Sequence, residues 1–172
     1  MTYCCHIMYC MIISLNEREV IVMDYEIVNL KEKKIVGLSA RTNNNNPDMQ
    51  NVIGTLWNRF FSDGIFQKIE NKVGFTTIGL YSDYGKNNDY DITVGCEVSS
   101  IENIPTDTII KTIPESKYAK FIIFGDVKEA VADFWEKCWK MPLERTFTGD
   151  FEEYIGDENG SCNEIHIYIA IK

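Results

Sequence analysis

One pattern occurs twice in this chain of 172 residues, and this internal repeat restricts the fold more than any other feature. Tyr81 and Ile92 are 11 positions apart, as are Tyr154 and Ile165, which follow them at an offset of 73. The offset pairs Tyr81 with Tyr154, Asp91 with Glu164, Ile92 with Ile165, Val94 with Ile167, and Phe61 with Phe134. A joint match of strand, turn, strand and helix indicates an internal duplication, with a groove between the halves that suits a ligand.

The predicted fold is α+β: duplicated β-α-β-β units with pseudo-twofold symmetry, an antiparallel sheet, and two helices that flank a central cleft. Apolar residues at helical spacing predict one helix from Val52 to Phe61, ending near Gly64, and a second from Val127 to Cys138. We place the halves at about 23–112 and 113–172. The predicted strands are 25–30, 35–41, 76–83, 90–98, 106–112, 118–124, 151–155 and 164–171, with a turn at 156–160.

Residues 1–22 are expected to lie outside the fold, as a non-native leader or a flexible extension. Their apolar stretch is far shorter than the ~20 residues of a membrane helix, and it lacks the positive start and cleavage site of a signal peptide. The segment 17–20 can be encoded by purine-rich codons that resemble a bacterial ribosome-binding site, so we expect Met23 to be the native start. A short strand or helix packed on the domain is the alternative.

The chain is acidic, with 26 Asp and Glu against 17 Lys and Arg and a net charge of −9. Nucleic acids and anionic membranes attract basic surfaces, so neither is expected as a direct partner. The six cysteines form no CxxC pair and the two histidines are far apart, so we expect no metal site; isolated cysteines indicate reduced thiols and a cytoplasmic protein. The sequence contains no common nucleotide, hydrolase or metalloprotease motif, and no cofactor is expected.

Glu152 is the residue most suited to recognise a ligand. At an offset of 73 its counterpart is Gly79, so the duplication sets one carboxylate against a bare backbone. Such a groove suits a bulky ligand with a positive charge or a hydrogen-bond donor, although an exposed strand residue is the alternative interpretation. Aromatic side chains attract cations. The aromatic residues available for a pocket are Trp57, Tyr81, Tyr84, Tyr90, Trp135, Trp139, Tyr154 and Tyr168.

The sequence from Met23 onward resembles the GyrI-like family of small-molecule-binding domains, which also occur as effector-binding domains of AraC-type regulators. The resemblance lies in segments 35–38, 56–60, 79–84, 90–98, 118–121 and 151–154, in the family's order. It implies a ligand cleft between two halves, with Glu152 of the F-E-x-Y motif at its floor as the contact for hydrophobic cations. The ligand-binding residues expected on this basis are Glu152, Tyr154, Trp57, Phe61, Tyr81, Trp135 and Tyr168.

The resemblance leads us to expect a stand-alone bacterial protein that binds hydrophobic, cationic or neutral drug-like molecules, as an accessory to transcription regulation or to sequester a toxin. Since 22 residues are too few for a helix-turn-helix domain, direct operator contact is not expected. One alternative is a hydrolase of cyclopropane-type toxins in which Glu152 and Tyr154 act as catalytic residues. A further alternative is a gyrase-interacting protein, and a protein partner or a homodimer stays open.

Overall fold

The computed structural model describes residues 23–156 and 162–172. The predicted leader at 1–22 and most of the predicted turn at 156–160 lie outside these residues. The secondary structure comprises β1 (Glu26–Leu30), β2 (Lys33–Asn43), α1 (Met49–Ser62), α2 (Ile65–Lys68), β3 (Thr77–Ser82), β4 (Asp89–Val98), β5 (Ile109–Ile113), β6 (Ser116–Phe124), α3 (Val127–Cys138), β7 (Asp150–Gly156) and β8 (Cys162–Ile171). Within the described ranges, no helix is long and apolar enough to cross a membrane.

All strands belong to one antiparallel sheet in the order β1-β6-β8-β7-β3-β4-β2-β5, which confirms the predicted α+β class. The pair β3 and β7 forms a central seam between the repeats. If the repeats are taken as β1-β2-α1-β3-β4 and β5-β6-α3-β7-β8, they exchange their first strands, because β1 pairs with β6 of the second repeat and β5 pairs with β2 of the first. Only two residues join β1 to β2, although these strands lie near opposite edges. Such a short link requires the sheet to curl until its edges approach.

The two faces of the curled sheet have separate cores. On one face, α1 packs on β2 and β4 through Leu56 and Phe60, while α3 packs on β6 and β8 through Phe134 and Cys138. The two helices therefore cover the ends of the sheet and leave the seam between them. The other face encloses its own apolar core, formed by Ile35, Ile78, Leu80, Ile113, Tyr118, Phe151, Tyr168 and Ala170.

The repeat is offset differently in the helices than in the strands. Strands β3 and β4 precede β7 and β8 by 73 positions, as predicted. The predicted match of Phe61 with Phe134 is wrong, because Phe134 is 2% exposed and Phe61 is 47% exposed. Trp57 corresponds instead to Trp135, 78 positions later. The first repeat has five more residues between this tryptophan and its next tyrosine, in a connection that contains the unpredicted helix α2.

Candidate functional site

Glu152 lies at the centre of the seam, on the face of β7 that points toward the helices. Its Cα partner in β3 is Gly79, and only 2% of the residue is exposed. The Tyr81 hydroxyl and the Trp135 indole N–H donate to its Oε1 at 2.9 and 2.6 Å. The Tyr154 hydroxyl donates to Oε2 at 2.6 Å. The buried carboxylate therefore has hydrogen bonds from neutral groups in place of water.

Two tryptophans, one from each long helix, flank this carboxylate symmetrically. Trp57 of α1 packs edge-to-face on Tyr154, with 4.8 Å between ring centroids, and Trp135 of α3 packs edge-to-face on Tyr81 at 5.1 Å. Each tryptophan thus contacts the tyrosine of the other repeat. These four aromatic side chains are partly exposed. Together with Glu152, which their rings cover, they form the cluster that we call the aromatic cleft.

The repeats differ at the floor of the aromatic cleft because Gly79 stands where the second repeat has Glu152. A Cβ atom at position 79 would lie 3.0 Å from Glu152 Oε2 and 3.5 Å from Trp57 Cζ2. The bare backbone was expected to leave room for a ligand. In the structure, the Glu152 carboxylate itself occupies that space, so the glycine allows an acidic side chain to lie across the neighbouring strand.

Burial controls the electrostatics of the aromatic cleft. It raises the pKa of Glu152 above the usual 4.5, although the three hydrogen bonds oppose this rise. Burial and the nearby carboxylate also raise the pKa of Tyr81 and of Tyr154 well above 10.0, so both phenols stay protonated and remain donors. Within residues 23–156 and 162–172, no lysine, arginine or histidine forms an ion pair with Glu152. Glu152 is therefore a buried acid without an opposite charge among the described residues.

The structure brings five of the seven expected ligand-binding residues together: Glu152, Tyr154, Trp57, Tyr81 and Trp135. Phe61 stacks on Trp57 at 6.2 Å and lies at the outer rim. Tyr168 lies on the opposite face of the sheet, where it stacks on Phe151 and donates to Glu153 at 3.0 Å. The sequence could have indicated this position, because side chains alternate between the two faces along a strand and Tyr168 directly follows Ile167, which faces the helices.

A second buried polar group adjoins the aromatic cleft and was not expected from the sequence. Asp150 is fully buried and pairs with Arg145. It also accepts hydrogen bonds from the Tyr84 hydroxyl and the Ala170 N–H, each at 2.8 Å. Asp150 precedes Glu152 by two positions, so alternation could have placed both on the same face. Arg145 lies in the segment between α3 and β7, where no periodic pattern indicates its position.

Comparison with known proteins places this fold in a class of effector-binding domains and identifies the family. The model of the Cass2 family, described as integron-associated effector binding proteins, matches residues 26–171. The chain belongs to this family, which has the GyrI-like fold.

One relative is similar in sequence over most of the chain, and two solved structures share its fold. The chain is 32% identical over 158 residues to the Bacillus subtilis (strain 168) protein YobU, which is named as a candidate transcriptional regulator; the match covers 85% of this chain and 96% of YobU. A solved integron cassette protein from Vibrio cholerae superposes with a TM-score of 0.68 at 24% identity, covering 86% of this chain and 95% of that one. A structure of SAV2435 bound to tetraphenylphosphonium superposes with a TM-score of 0.70 at 21% identity, covering 87% and 94%.

Proposed function

We propose that this protein binds small hydrophobic cations in the aromatic cleft, with Glu152 as the anionic contact. The observation that carries the proposal is a carboxylate that is 2% exposed, surrounded by four aromatic side chains and bonded only to neutral donors in the described chain. Burial of a carboxylate without an opposite charge is costly, and a bound cation would offset that cost.

The aromatic walls add a second attraction for the same ligands. The faces of Trp and Tyr rings attract a cation by about 0.5–2 kcal/mol each, and their apolar area suits phenyl-like substituents. The net charge of −9 favours approach of a cation over long range. The structure of SAV2435 holds tetraphenylphosphonium, a cation with four phenyl rings. The same molecule is therefore the first probe for this chain.

Ligand entry, on this proposal, requires movement of side chains. Glu152 is covered by the rings around it, whereas Trp57 and Trp135 are themselves partly exposed. Rotation of one or both indoles away from the seam would uncover the carboxylate. The Trp135 N–H would then leave Oε1, and the cation would take its place beside the acid.

Calorimetric titration with tetraphenylphosphonium and with uncharged triphenylphosphine oxide tests the role of Glu152. We expect Glu152→Gln to lower the affinity for the cation relative to the oxide by roughly 30-fold, which is about 2 kcal/mol and fits two charges ~8 Å apart at an effective dielectric constant near 20. Glutamine keeps the side-chain shape, and the Tyr154 hydroxyl can turn to accept from its amide.

Glu153→Gln is the matched control for this titration. Glu153 is the next residue on β7, but it faces away from the helices and bonds to Lys33 at 2.7 Å. Its substitution removes the same charge from the other side of the sheet, so we expect the ratio of the two affinities to stay unchanged. An equal loss in both variants would indicate only a general effect of net charge and would contradict the proposed role of Glu152.

Binding of a cation can serve more than one cellular role. We infer that the occupied protein acts in the control of gene expression, in line with the name of its relative YobU. A gene-deletion strain exposed to tetraphenylphosphonium should then show altered transcript levels, and complementation with Glu152→Gln should fail to restore them. Restored growth without any change in transcripts would favour sequestration of the toxic cation instead.

A further inference from the structure

Arg145 has hydrogen-bond donors that the described chain leaves unused. Its Nη2 donates to Asp150 Oδ2. Its side chain is 7% exposed, and its Nε and Nη1 are the only buried side-chain nitrogen or oxygen atoms without a partner in residues 23–156 and 162–172. Donors of a buried charged group are almost always satisfied, because an unmade hydrogen bond leaves the cost of desolvation uncompensated. The described residues therefore supply no acceptor for these two groups.

Arg145 adjoins the aromatic cleft through a shared indole ring. The guanidinium carbon lies 5.8 Å from the centroid of Trp135, and the N–H of the same indole donates to Glu152. Aromatic contacts continue from Tyr81 through Tyr90 to Tyr84, which bonds to the partner of Arg145. A ligand that displaces the Trp135 ring, which contacts both groups, would reach Glu152 with one end and Arg145 with the other.

Two half-exposed rings cover the guanidinium. Its carbon lies 4.3 Å from the centroid of Trp139 and 4.5 Å from that of Phe147, which are 51% and 45% exposed. Phe147 has a φ of 55°, in the left-handed region that a bulky residue rarely adopts. Rotation of this segment would relieve the backbone strain and uncover the free donors of Arg145.

We propose that Arg145 is a second ligand-binding group, which takes a neutral carbonyl oxygen of the ligand on its free N–H groups. This inference rests on the proposed function and narrows its ligand class to hydrophobic cations that also carry an amide, ester or ketone. A neutral acceptor fits better than an anion, because Asp150 already balances the charge of Arg145 and Glu152 lies nearby. The side chain thus supplies directional donors rather than net charge.

Two monocationic probes test this inference: pentyltriphenylphosphonium, and its analogue whose chain ends in a primary carboxamide. We expect the carboxamide to bind the native protein about tenfold more tightly, as one hydrogen bond to a charged donor implies. In the double variant Arg145→Gln with Asp150→Asn, the carboxamide probe should bind no more tightly than the pentyl probe, so the ratio of the two affinities should be one or below. The double change leaves no buried charge alone, and its circular dichroism and thermal melting check the fold. Lys140→Gln removes an exposed positive charge from the segment after α3 and should leave the ratio unchanged.

Nuclear magnetic resonance of the native protein gives an independent measurement. The Nε–H and Nη–H resonances of Arg145, assigned with Arg145→Lys, should shift with the carboxamide probe and not with the pentyl probe. Equal affinities for both probes, or unmoved Arg145 resonances, would overturn the inference while leaving cation binding intact. Tighter binding of a carboxylate-ended probe than of the carboxamide would overturn its neutral-acceptor part. Binding of neither probe would contradict the proposed function itself, and the inference with it.

Discussion

Gly79→Ala tests whether the glycine is required by the carboxylate that lies over it. The added methyl would lie 3.0 Å from Glu152 Oε2 and 3.8 Å from Tyr154 Cε2, so the carboxylate must move by a few tenths of an ångström. That movement strains three short hydrogen bonds, and overpacking of this kind costs about 1–3 kcal/mol. Because alanine lowers the conformational entropy of the unfolded chain, the substitution also stabilises the folded state by about 0.4–1 kcal/mol. We expect a net loss of about 1–2 kcal/mol, or roughly 2–8 °C in Tm for a domain of this size.

Urea denaturation of four variants measures this effect: Gly79→Ala, Gly54→Ala, Glu152→Ala, and the double variant of Glu152→Ala with Gly79→Ala. Gly54→Ala is the matched control, because no atom lies within 4 Å of a Cβ at that exposed position in α1 and alanine favours the helix. We expect Gly54→Ala to stabilise the protein by about 0.5–1 kcal/mol. In a Glu152→Ala background, where the opposing carboxylate is gone, Gly79→Ala should lose its penalty. A penalty that persists in that background would refute the explanation, as would a Gly79→Ala variant as stable as Gly54→Ala.

Three further predictions follow from the buried charges. Affinity for tetraphenylphosphonium should fall with decreasing pH, beginning above pH 4.5, because protonation of Glu152 removes the charge that holds the cation; calorimetry that shows a flat profile down to pH 4.5 would contradict this. Because the folded state of Glu152 retains its proton to higher pH than the unfolded state, the contribution of this residue to stability should fall as pH rises through the raised pKa. Urea midpoints of Glu152→Gln should lack that decline. Asp150→Ala leaves the buried Arg145 without its partner and should cost about 3–5 kcal/mol in urea denaturation; a loss below about 1 kcal/mol would show that the guanidinium is solvated.

Much of the fold follows from periodicity in the sequence. Burial of one face selects apolar residues at regular intervals. This produces the alternation along β4 and β8 and the helical spacing in α1 and α3. The strand exchange could not be predicted in this way. Pairing of β1 with β6 depends on contacts between residues about 90 positions apart, such as Ile27 and Ala119, and no local pattern encodes that choice.

Periodicity also predicted part of the candidate site. Glu152 and Tyr154 share a face by alternation, and the resemblance to a known family indicated the motif. The alignment of Trp57 with Trp135 was missed because an offset taken from the strands was applied to the helices. Arg145 lies in an irregular segment, so only the folded structure shows that it contacts Trp135.

The exchanged edge strands limit how the protein can adapt to ligands of different shape. The repeats are joined by hydrogen-bonded strand pairs at three places, namely β3 with β7, β1 with β6, and β2 with β5. A hinge motion between them would break backbone ladders at all three. The backbone of the acid at the seam is therefore held in place, and any adaptation to a ligand would have to come from side-chain rotation of the indoles that pack beside it. Such a protein would select ligands by the position of their charge and would accept aromatic groups of different size and shape.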